Sequence, residues 1–299
     1  MFFKRFIWLS LAIAGTQTAN SQYTDVINSN RPGESFGAFS VGKTIFQSEG
    51  GLSYINENHS NTDSEIKGMF VDLDIRYGFL LEELEFIADL QYRADTYKTD
   101  VESINRNGLK TSALGFKYLA YDPFKNYEDK PSLKSWKYNH RFRWRQFLPA
   151  VAVYAGANLN FTNDYTPEDQ AIVTYKGMII LQNHFEGGWV FVTNLLADHI
   201  ASDYLTFGGI LTVTKSFNHK WSGFVEIQGY KSDYQKDFIA RGGAAYLLND
   251  NLQLDISIGK NFHDTRDVIY GGIGASWRFA LNYKDIILDK DAPNKGVSK

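Results

Sequence analysis

The residues that could support hydrolytic or metal chemistry lie in two short clusters. His59, Ser60 and Asn61 place a base beside a hydroxyl nucleophile, as acyl-transfer chemistry requires. Adjacent residues of a strand point to opposite faces, so His59 and Ser60 cannot act as a pair there. Residues 263–267 contain two carboxylates that could bind a hard cation, but so polar a run is more typical of a solvated loop. The six histidines lack metal-ligand spacing and the glycines lack a phosphate-loop pattern. The sequence therefore predicts no catalytic residue, metal or cofactor, and no enzyme.

The composition of the chain excludes several classes of protein. The 299 residues include 15% aromatic residues, 25 glycines, only 6 prolines and no cysteine, and the formal net charge is -3. No disulfide can form, and a disordered chain would hold fewer aromatic residues. No apolar run reaches the roughly 18–20 residues that a transmembrane helix needs. A pI near 6.1 gives no reason to expect a nucleic-acid partner.

Beyond residue 44 the sequence alternates between apolar and polar residues with a period of two. In residues 69–79 every odd-numbered position is apolar or aromatic, whereas Asp72, Asp74 and Arg76 lie between them. This pattern is typical of β-strands with one apolar face. We predict twelve such strands, at about 44–57, 68–79, 84–95, 109–121, 147–161, 174–184, 188–198, 204–216, 221–232, 237–248, 252–262 and 268–279.

The lengths of these strands and of their connections predict a barrel in the outer membrane. Most strands have 10–13 residues, close to the roughly 9–11 that cross a bilayer at a tilt. The predicted connections alternate between short turns and longer loops, with segment 122–146 as the exception. In outer-membrane barrels the short turns face the periplasm and the long loops face outward, whereas a soluble sandwich has no reason to sort its loops. We therefore expect an all-β fold, a transmembrane antiparallel up-and-down β-barrel of about 12 strands.

The two ends of the chain differ from the barrel in composition. Lys4 and Arg5 precede a nine-residue apolar stretch, and Ala19 to Ser21 forms a small-x-small cleavage site. Residues 1–21 are therefore predicted to be a signal peptide. We expect residues 22–43 to form an N-terminal segment that can plug the lumen, residues 44–279 to form the barrel, and residues 280–299 to form a periplasmic tail.

If the apolar strand faces meet lipid, the charged residues between them line the lumen. On the lipid side a central Arg or Lys would cost about 2–4 kcal/mol, which explains the segregation. Two interpretations remain open, a salt-bridged interior that serves stability and a path for a charged substrate. The candidate lumen and ligand-path residues are Arg31, Glu49, Asp72, Asp74, Arg76, Asp89, Arg93, Glu226, Arg241, Asp255 and Arg278.

Arg31 is the charged residue by which the N-terminal segment could close the lumen. An even number of strands places both chain ends on the periplasmic side, so residues 22–43 can fold back into that mouth. Bidentate contacts between Arg and a carboxylate are among the stronger polar interactions. We expect Arg31 to pair with Glu49; a flexible leader outside the barrel is the alternative.

Four stretches resemble the MetA-pathway phenol-degradation family of outer-membrane barrels. Residues 242–255 are similar to the family's penultimate hairpin and 272–279 to its last strand, while 30–35 resemble its Asp-Arg-Pro segment, with Asn30 in place of Asp, and 47–54 its first strand. The resemblance implies a monomeric barrel that passes hydrophobic or aromatic compounds. The chain departs from the family by continuing beyond Phe279.

Segment 122–146 combines basic and aromatic residues. Residues 122–145 contain seven basic and three acidic residues, a net charge of +4, interleaved with six aromatic residues. Two interpretations are open, contact with outer-membrane lipids at the headgroup level and docking of a protein partner. The tail 280–299 is a second candidate surface for such a partner. In the loop at 162–173, Thr166, Pro167 and Asp169 predict a short helix.

These observations lead to two functional hypotheses. The first is a passive transporter or channel for small hydrophobic or aromatic compounds in the cell outer membrane. The second is a non-transporting accessory barrel in a larger outer-membrane assembly. The sequence does not name a solute.

Overall fold

The chain forms a closed antiparallel barrel of twelve strands. The computed structural model describes residues 26–60, 62–125, 144–167, 169–233, 236–263 and 266–280. Each strand pairs with the next along the chain, and the first pairs with the last. The strands are β1 (Ile45–His59), β2 (Ser64–Gly78), β3 (Leu84–Lys98), β4 (Ser103–Tyr121), β5 (Ala150–Leu159), β6 (Val173–Phe185), β7 (Trp189–Ile200), β8 (Thr206–Ser216), β9 (Trp221–Lys231), β10 (Lys236–Asn249), β11 (Leu252–His263) and β12 (Arg266–Ala280). The predicted fold is confirmed.

The period-two alternation of the sequence separates the lipid face from the lumen. Val225 and Glu226 are neighbours in the middle of β9; Val225 is 62% exposed, whereas Glu226 is fully buried inside the barrel. Ile258 and Ile273 likewise project from the outer face at 64% and 62% exposure. A closed barrel satisfies all ladder hydrogen bonds between strands, which a bilayer demands of any spanning structure. Among the described residues, no helix has the length and hydropathy to span a bilayer.

Aromatic side chains ring the outer surface at the end where the tight turns lie. The rings of Trp221 and Tyr246 are 4.8 Å apart, and those of Trp277 and Phe279 are 4.1 Å apart. Phe79 lies next to this group and packs against both Tyr77 and Phe116. Aromatic side chains favour the boundary between hydrocarbon and headgroups, so this end of the barrel lies at a membrane interface.

The connections are shorter than the sequence predicted on the loop side. Predicted loops 58–67 and 96–108 contract to 60–63 and 99–102, because β1 to β4 extend as paired strands well beyond the predicted ends. At the loop end the connection at 160–172 is longer than these two, and its described residues form turns in place of the predicted helix, of which residue 168 lies outside the described part of the chain. Asn163 Oδ1 accepts the Tyr165 N–H at 2.8 Å, which closes one of these turns before Thr166.

Three of the predicted segments lie wholly or mostly outside the described residues. These are the signal peptide at 1–21, the tail at 280–299 after its first residue, and the basic aromatic segment at 122–146 between 126 and 143. The described part of that last segment ends in a short 3-10 helix, Trp144–Phe147. Phe147 packs edge-on against Phe185 of β6 at 5.2 Å.

Strand β6 carries apolar side chains on both faces, for a reason that lies inside the barrel. Ile179 is 48% exposed toward lipid, whereas Met178 and Ile180 point inward and are buried. There they join an apolar cluster that includes Tyr154 and Phe36. Phe36 precedes the first strand, so part of the barrel's core is supplied by the chain's own N-terminal segment.

Candidate functional site

Residues 26–43, the lumenal segment, lie inside the barrel. The Ile27 N–H bonds to the Asp250 carbonyl in the turn after β10 at 2.8 Å, and the Thr44 N–H bonds to the Gly78 carbonyl at 2.8 Å. The segment therefore enters and leaves at the turn end of the barrel. It contacts a side chain from every strand; in order from β1 to β12 these are Glu49, Arg76, Glu85, Lys117, Tyr154, Gln182, Asn194, Thr212, Glu226, Arg241, Asp255 and Ser276.

Carboxylates of the barrel wall accept the N–H groups of the lumenal segment. Glu49 Oε2 accepts from the backbone of Asn30 at 2.9 Å and of Arg31 at 3.2 Å. Glu226 accepts from Glu34 at 3.1 Å and from Ser35 at 3.3 Å. A segment without strand or helix partners must find other acceptors for its backbone when it is buried. Wall carboxylates supply them, and such charge-assisted bonds are the strong ones.

Cationic and amide side chains of the wall bind the segment's carbonyl groups. Arg76 donates to the carbonyl of Asn28 at 2.7 Å, and Lys117 donates to that of Gly37 at 2.6 Å. Asn194 bonds both backbone groups of Phe36, accepting from its N–H at 2.7 Å and donating to its carbonyl at 3.0 Å. The wall thus recognises the backbone of the segment as well as its side chains.

Arg31 reaches the lumen wall, but its partner is not the one predicted. Its Nη2 lies 3.1 Å from Asp255 Oδ1 and its Nε lies 3.3 Å from Oδ2, so the pair is bidentate. The predicted pairing with Glu49 is wrong, because Glu49 Oε1 bonds to Arg76 Nη1 at 3.0 Å while Oε2 takes the segment's backbone. Glu49 holds the same stretch of chain through the backbone N–H groups of Asn30 and Arg31 and through the Ser29 hydroxyl, which donates to Oε2 at 2.7 Å.

Two facing glycines make room for the Arg31 guanidinium. Gly51 of β1 and Gly274 of β12 are paired across the ladder. A Cβ atom at either position would lie 2.3 Å from Arg31 Nη2. The guanidinium therefore lies directly against the backbone of these two strands. A larger residue at position 51 or 274 would fill this space, the Arg31 seat.

Arg241 connects the wall of β10 to the acidic side chain of the lumenal segment. Its Nη1 bonds to Glu34 Oε1 at 2.6 Å and its Nε lies 3.2 Å from the Tyr270 hydroxyl. The guanidinium carbon also stands 4.8 Å from the centre of the Tyr270 ring, within range of a cation–π contact. Arg241 is thus held by one wall residue and by one residue that belongs to the segment.

The remaining predicted acidic residues form a row along the inner wall. Glu49, Asp74 and Asp89 are directly opposite one another on β1, β2 and β3. Asp72 accepts a hydrogen bond from Gln91 at 2.7 Å. Cations flank both ends of this row, since Arg76 bonds to Glu49 at 3.0 Å and Lys176 on β6 lies 3.8 Å from Asp89.

The last two predicted residues, Arg93 and Arg278, lie at opposite ends of the barrel. Arg93 bonds to Asp95 at 2.5 Å and lies 3.6 Å from Glu57, toward the loops. Arg278 donates to the Asn251 side chain at 2.9 Å beside the last tight turn. Arg93 borders the space above the lumenal segment, whereas Arg278 braces the turn below it.

The lumenal segment separates two cavities. The turn-side cavity, of about 260 Å³, is lined by residues of the segment between 27 and 37 together with inner residues of β6 to β11. The loop-side cavity, of about 440 Å³, has Glu34 at its border with the segment. Its wall combines apolar and aromatic residues with basic ones, and the lining is Ile55, Phe70, Gln91, Arg93, Lys110, Thr111, Gln228, Tyr230, Asp237, Ile239, Arg241, Asn261, Arg266, Val268 and Tyr270.

The long connection 160–172 folds over the loop end of the barrel. Tyr165 donates to the Arg106 carbonyl at 3.2 Å, and Asn163 donates to the Leu109 carbonyl at 2.7 Å. The guanidinium groups of Arg93 and Arg106 lie 5.7 and 5.3 Å from the Tyr165 ring. Burial, with the nearby negative charge of Asp95, raises the pKa of the Tyr165 phenol to about 12, so this side chain stays neutral at physiological pH.

Of the two clusters that could have carried catalytic or metal chemistry, Asn61, Asp264 and Thr265 lie outside the described residues, and two of the others have partners elsewhere. His59 bonds to Glu57 at 2.7 Å, and Asp267 pairs with Lys260 at 3.1 Å. Within the part of the chain that the structure describes, no group of three or more His, Asp or Glu side chains could hold a metal ion.

Several residues of the site were not identified from the sequence. Glu34 and Phe36 lie in a stretch without periodicity, so nothing in the pattern marks them as inward-facing. Lys117 lies between Phe116 and Tyr118 in the predicted strand 109–121, a pattern that could have assigned it to the lumen. Lys110 is followed by the polar Thr111 and lies at a register shift of β4, so the alternation does not mark it. Asn194 lies in the predicted strand 188–198. The contacts of Glu34, Phe36, Lys117 and Asn194 depend on the closed barrel.

The comparison with protein families decides the classification of the chain. The model of the family described as "Putative MetA-pathway of phenol degradation" matches residues 29–279. The chain belongs to this family. The family match starts inside the lumenal segment and ends in β12, so the family pattern includes the segment as well as the barrel. No curated protein sequence matches the chain.

Solved structures support the architecture. The COG4313 outer membrane channel from Pseudomonas putida F1 matches with a TM-score of 0.56 and 10% identity, over 85% of this chain and 100% of that one. The translocator domain of the autotransporter NalP from Neisseria meningitidis has a TM-score of 0.49 and 10% identity, over 79% and 89% of the two chains. The toluene transporter TodX from Pseudomonas putida has a TM-score of 0.42 and 7% identity, over 80% and 89%. The likeness to the Pseudomonas putida channel is one of fold. The present chain, as a member of the family, is a barrel of the cell outer membrane.

Proposed function

We propose that this protein is a passive channel for small hydrophobic or aromatic compounds. The observation that carries the proposal is the loop-side cavity of about 440 Å³, in which a buried apolar and aromatic cluster faces the lumen. A non-transporting accessory barrel would have no need of an aromatic-lined cavity above the lumenal segment. The similar barrel from Pseudomonas putida is an outer membrane channel, which favours the same role.

In this proposal the lumenal segment is the gate. It lies between the two cavities and is held mainly by polar contacts with the wall, which a rearrangement can exchange for water. Only its displacement would join the cavities into a continuous path. Transport through such a path needs no catalytic residue, and the wall residues would position the segment and the solute.

Reconstitution of the purified mature chain tests the proposal. Vesicles with a lipopolysaccharide outer leaflet slow the free passage of hydrophobic solutes, so uptake of radiolabelled toluene can be compared with and without the protein. We expect faster uptake with the protein, and a further increase when residues 22–43 are deleted. Uptake no faster than in empty vesicles for both forms would reject a channel. A sealed barrel that co-purifies with another outer-membrane assembly would instead support the accessory-subunit alternative.

A further inference from the structure

The loop-side cavity has one apolar wall that suits a flat ring. Ile55, Phe70, Val268 and Tyr270 form a buried cluster, with Ile239 packed against it. The rings of Phe70 and Tyr270 stand 6.4 Å apart at a steep angle. Inside the polar lumen of an outer-membrane barrel, such a cluster gives an aromatic solute a surface on which to leave water.

The same cavity contains an ammonium group that no carboxylate of the described residues contacts directly. Among the cationic residues of its lining, Arg93 and Arg266 both contact Glu57, at 3.6 and 2.5 Å. Lys110 has an exposed side chain in this lining, and it forms no ion pair or hydrogen bond with any residue that the structure describes. An ammonium group without a direct ion-pair partner, in a cavity with an apolar wall, attracts an anion that also carries an apolar body.

A second positive group of the cavity is bound to a partner that can leave. Arg241 pairs with Glu34 at 2.6 Å, and Glu34 belongs to the lumenal segment, not to the barrel wall. The Glu34 side chain is 45% exposed, whereas that of Arg241 is 10% exposed and is kept in place by Tyr270. An incoming carboxylate could therefore replace the Glu34 carboxylate on a guanidinium whose position is already fixed.

We propose that the loop-side cavity binds a small aromatic carboxylate. The ring packs against Phe70 and Tyr270, and the carboxylate bonds to Lys110 and to Arg241 in place of Glu34. A neutral hydrocarbon would leave Lys110 uncompensated, and a hydrophilic anion would leave the apolar wall in contact with water. Because the ligand takes the place of Glu34, its binding also loosens the lumenal segment, so the solute itself favours opening. This inference rests on the proposed channel function and specifies its solute.

Three probes separate the ring from the charge. Benzoate carries both, benzamide keeps the ring without the charge, and acetate keeps the charge without the ring. Isothermal titration into the purified full-length barrel in detergent should show benzoate binding at least about tenfold more tightly than either of the others, since a contact to a charged group is worth about one power of ten or more. Equal affinity for benzamide and benzoate would overturn the role of the carboxylate.

Single substitutions assign the binding to the cavity. Lys110→Gln should weaken benzoate binding about tenfold, whereas Lys98→Gln, an exposed residue at the same end of the barrel but outside this cavity, should not change it. Glu34→Gln should strengthen benzoate binding, because the competing carboxylate is gone. If Lys110→Gln and Lys98→Gln bind benzoate like the parent, the site is elsewhere and the inference is wrong. Toluene uptake without any preference for benzoate would leave the channel proposal standing and remove only this inference.

Discussion

Arg31 and Asp255 form a bidentate ion pair between residues 224 positions apart, with Nη2–Oδ1 and Nε–Oδ2 distances of 3.1 and 3.3 Å. The Asp255 side chain is fully buried and that of Arg31 is 11% exposed, so bulk water hardly screens the pair. Gly51 and Gly274 lie against the guanidinium on the wall side. The position of the lumenal segment is therefore set both by the ion pair with Asp255 and by the space that Gly51 and Gly274 leave for the guanidinium.

We expect Arg31→Ala to open the barrel. The substitution leaves the Asp255 carboxylate buried without its Arg31 partner, which disfavours the state in which the lumenal segment lies inside the barrel. With about 1.5–3 kcal/mol for a hydrogen bond to a charged group, open probability should rise roughly tenfold to a hundredfold. Planar-bilayer recording measures this, and deletion of residues 22–43 should act in the same direction.

Lys220→Ala, at an exposed position in the tight turn 217–220, is the matched control and should conduct like the parent. If Arg31→Ala and the deletion both remain folded and conduct like the parent, residues 22–43 do not gate the lumen.

Adding a methyl group at Gly274 should open the barrel, as Arg31→Ala does, without removing any charge. Its Cβ would lie 2.3 Å from Arg31 Nη2, so Gly274→Ala must displace the guanidinium from its seat while the strand pairing of β12 stays intact. We expect Gly274→Ala to conduct more than the parent. The variant should still show the parent's heat-modifiable mobility on SDS gels, which indicates a folded barrel. Gly50→Ala is the control, because its Cβ would meet only the Asp72 carbonyl at 3.6 Å. Identical conductance of Gly274→Ala and Gly50→Ala would show that the seat does not hold the segment.

The strands could be predicted from the sequence because each one carries its own signal. In β2, Val71 and Leu73 alternate with Asp72 and Asp74, and this pattern is complete within a few residues. β6 shows where the rule is insufficient: Ile179 faces lipid while Ile180 faces the lumenal segment, so both faces are apolar and the alternation is lost. Local pattern identifies a strand but not what covers its inner face.

The partners inside the lumen could not be predicted, since they depend on closure of the barrel. Glu49 and Asp255 are on different strands separated by β12, and only the register of β1, β12 and β11 decides which carboxylate meets the Arg31 side chain. The sequence offers several carboxylates of equal chemistry and no means of ranking them. The prediction of Arg31 as an inward-facing residue needed only its charge and its position before β1.

A charged residue on the lipid face at the centre of a strand should destabilise the barrel. Val225 lies in the middle of β9 and is 62% exposed on the outer surface. Val225→Arg should lower the free energy of unfolding by about 2–4 kcal/mol in lipid vesicles, the cost of placing Arg near the bilayer midplane. Urea unfolding followed by tryptophan fluorescence measures this. Val101→Arg, at a 94% exposed site in the connection 99–102, is the control and should change little. Equal stability of the two variants would mean that the Val225 surface does not contact hydrocarbon.

The connection 99–102 should lie on the outer surface of the cell. An even number of strands places both ends of the barrel at its turn end, where Ile45 pairs with Ala280, and the connections that include 99–102 are at the opposite end. In outer-membrane barrels the chain ends lie in the periplasm. An epitope inserted at Val101, which is almost fully exposed and pairs with no strand, should therefore be labelled by antibody on intact cells. An epitope inserted in the turn 217–220 is the matched control, and it should be labelled only after the outer membrane is permeabilised. The reverse pattern would place the aromatic-lined cavity on the periplasmic side, and solute would then reach the Arg241–Glu34 contact from within the cell envelope.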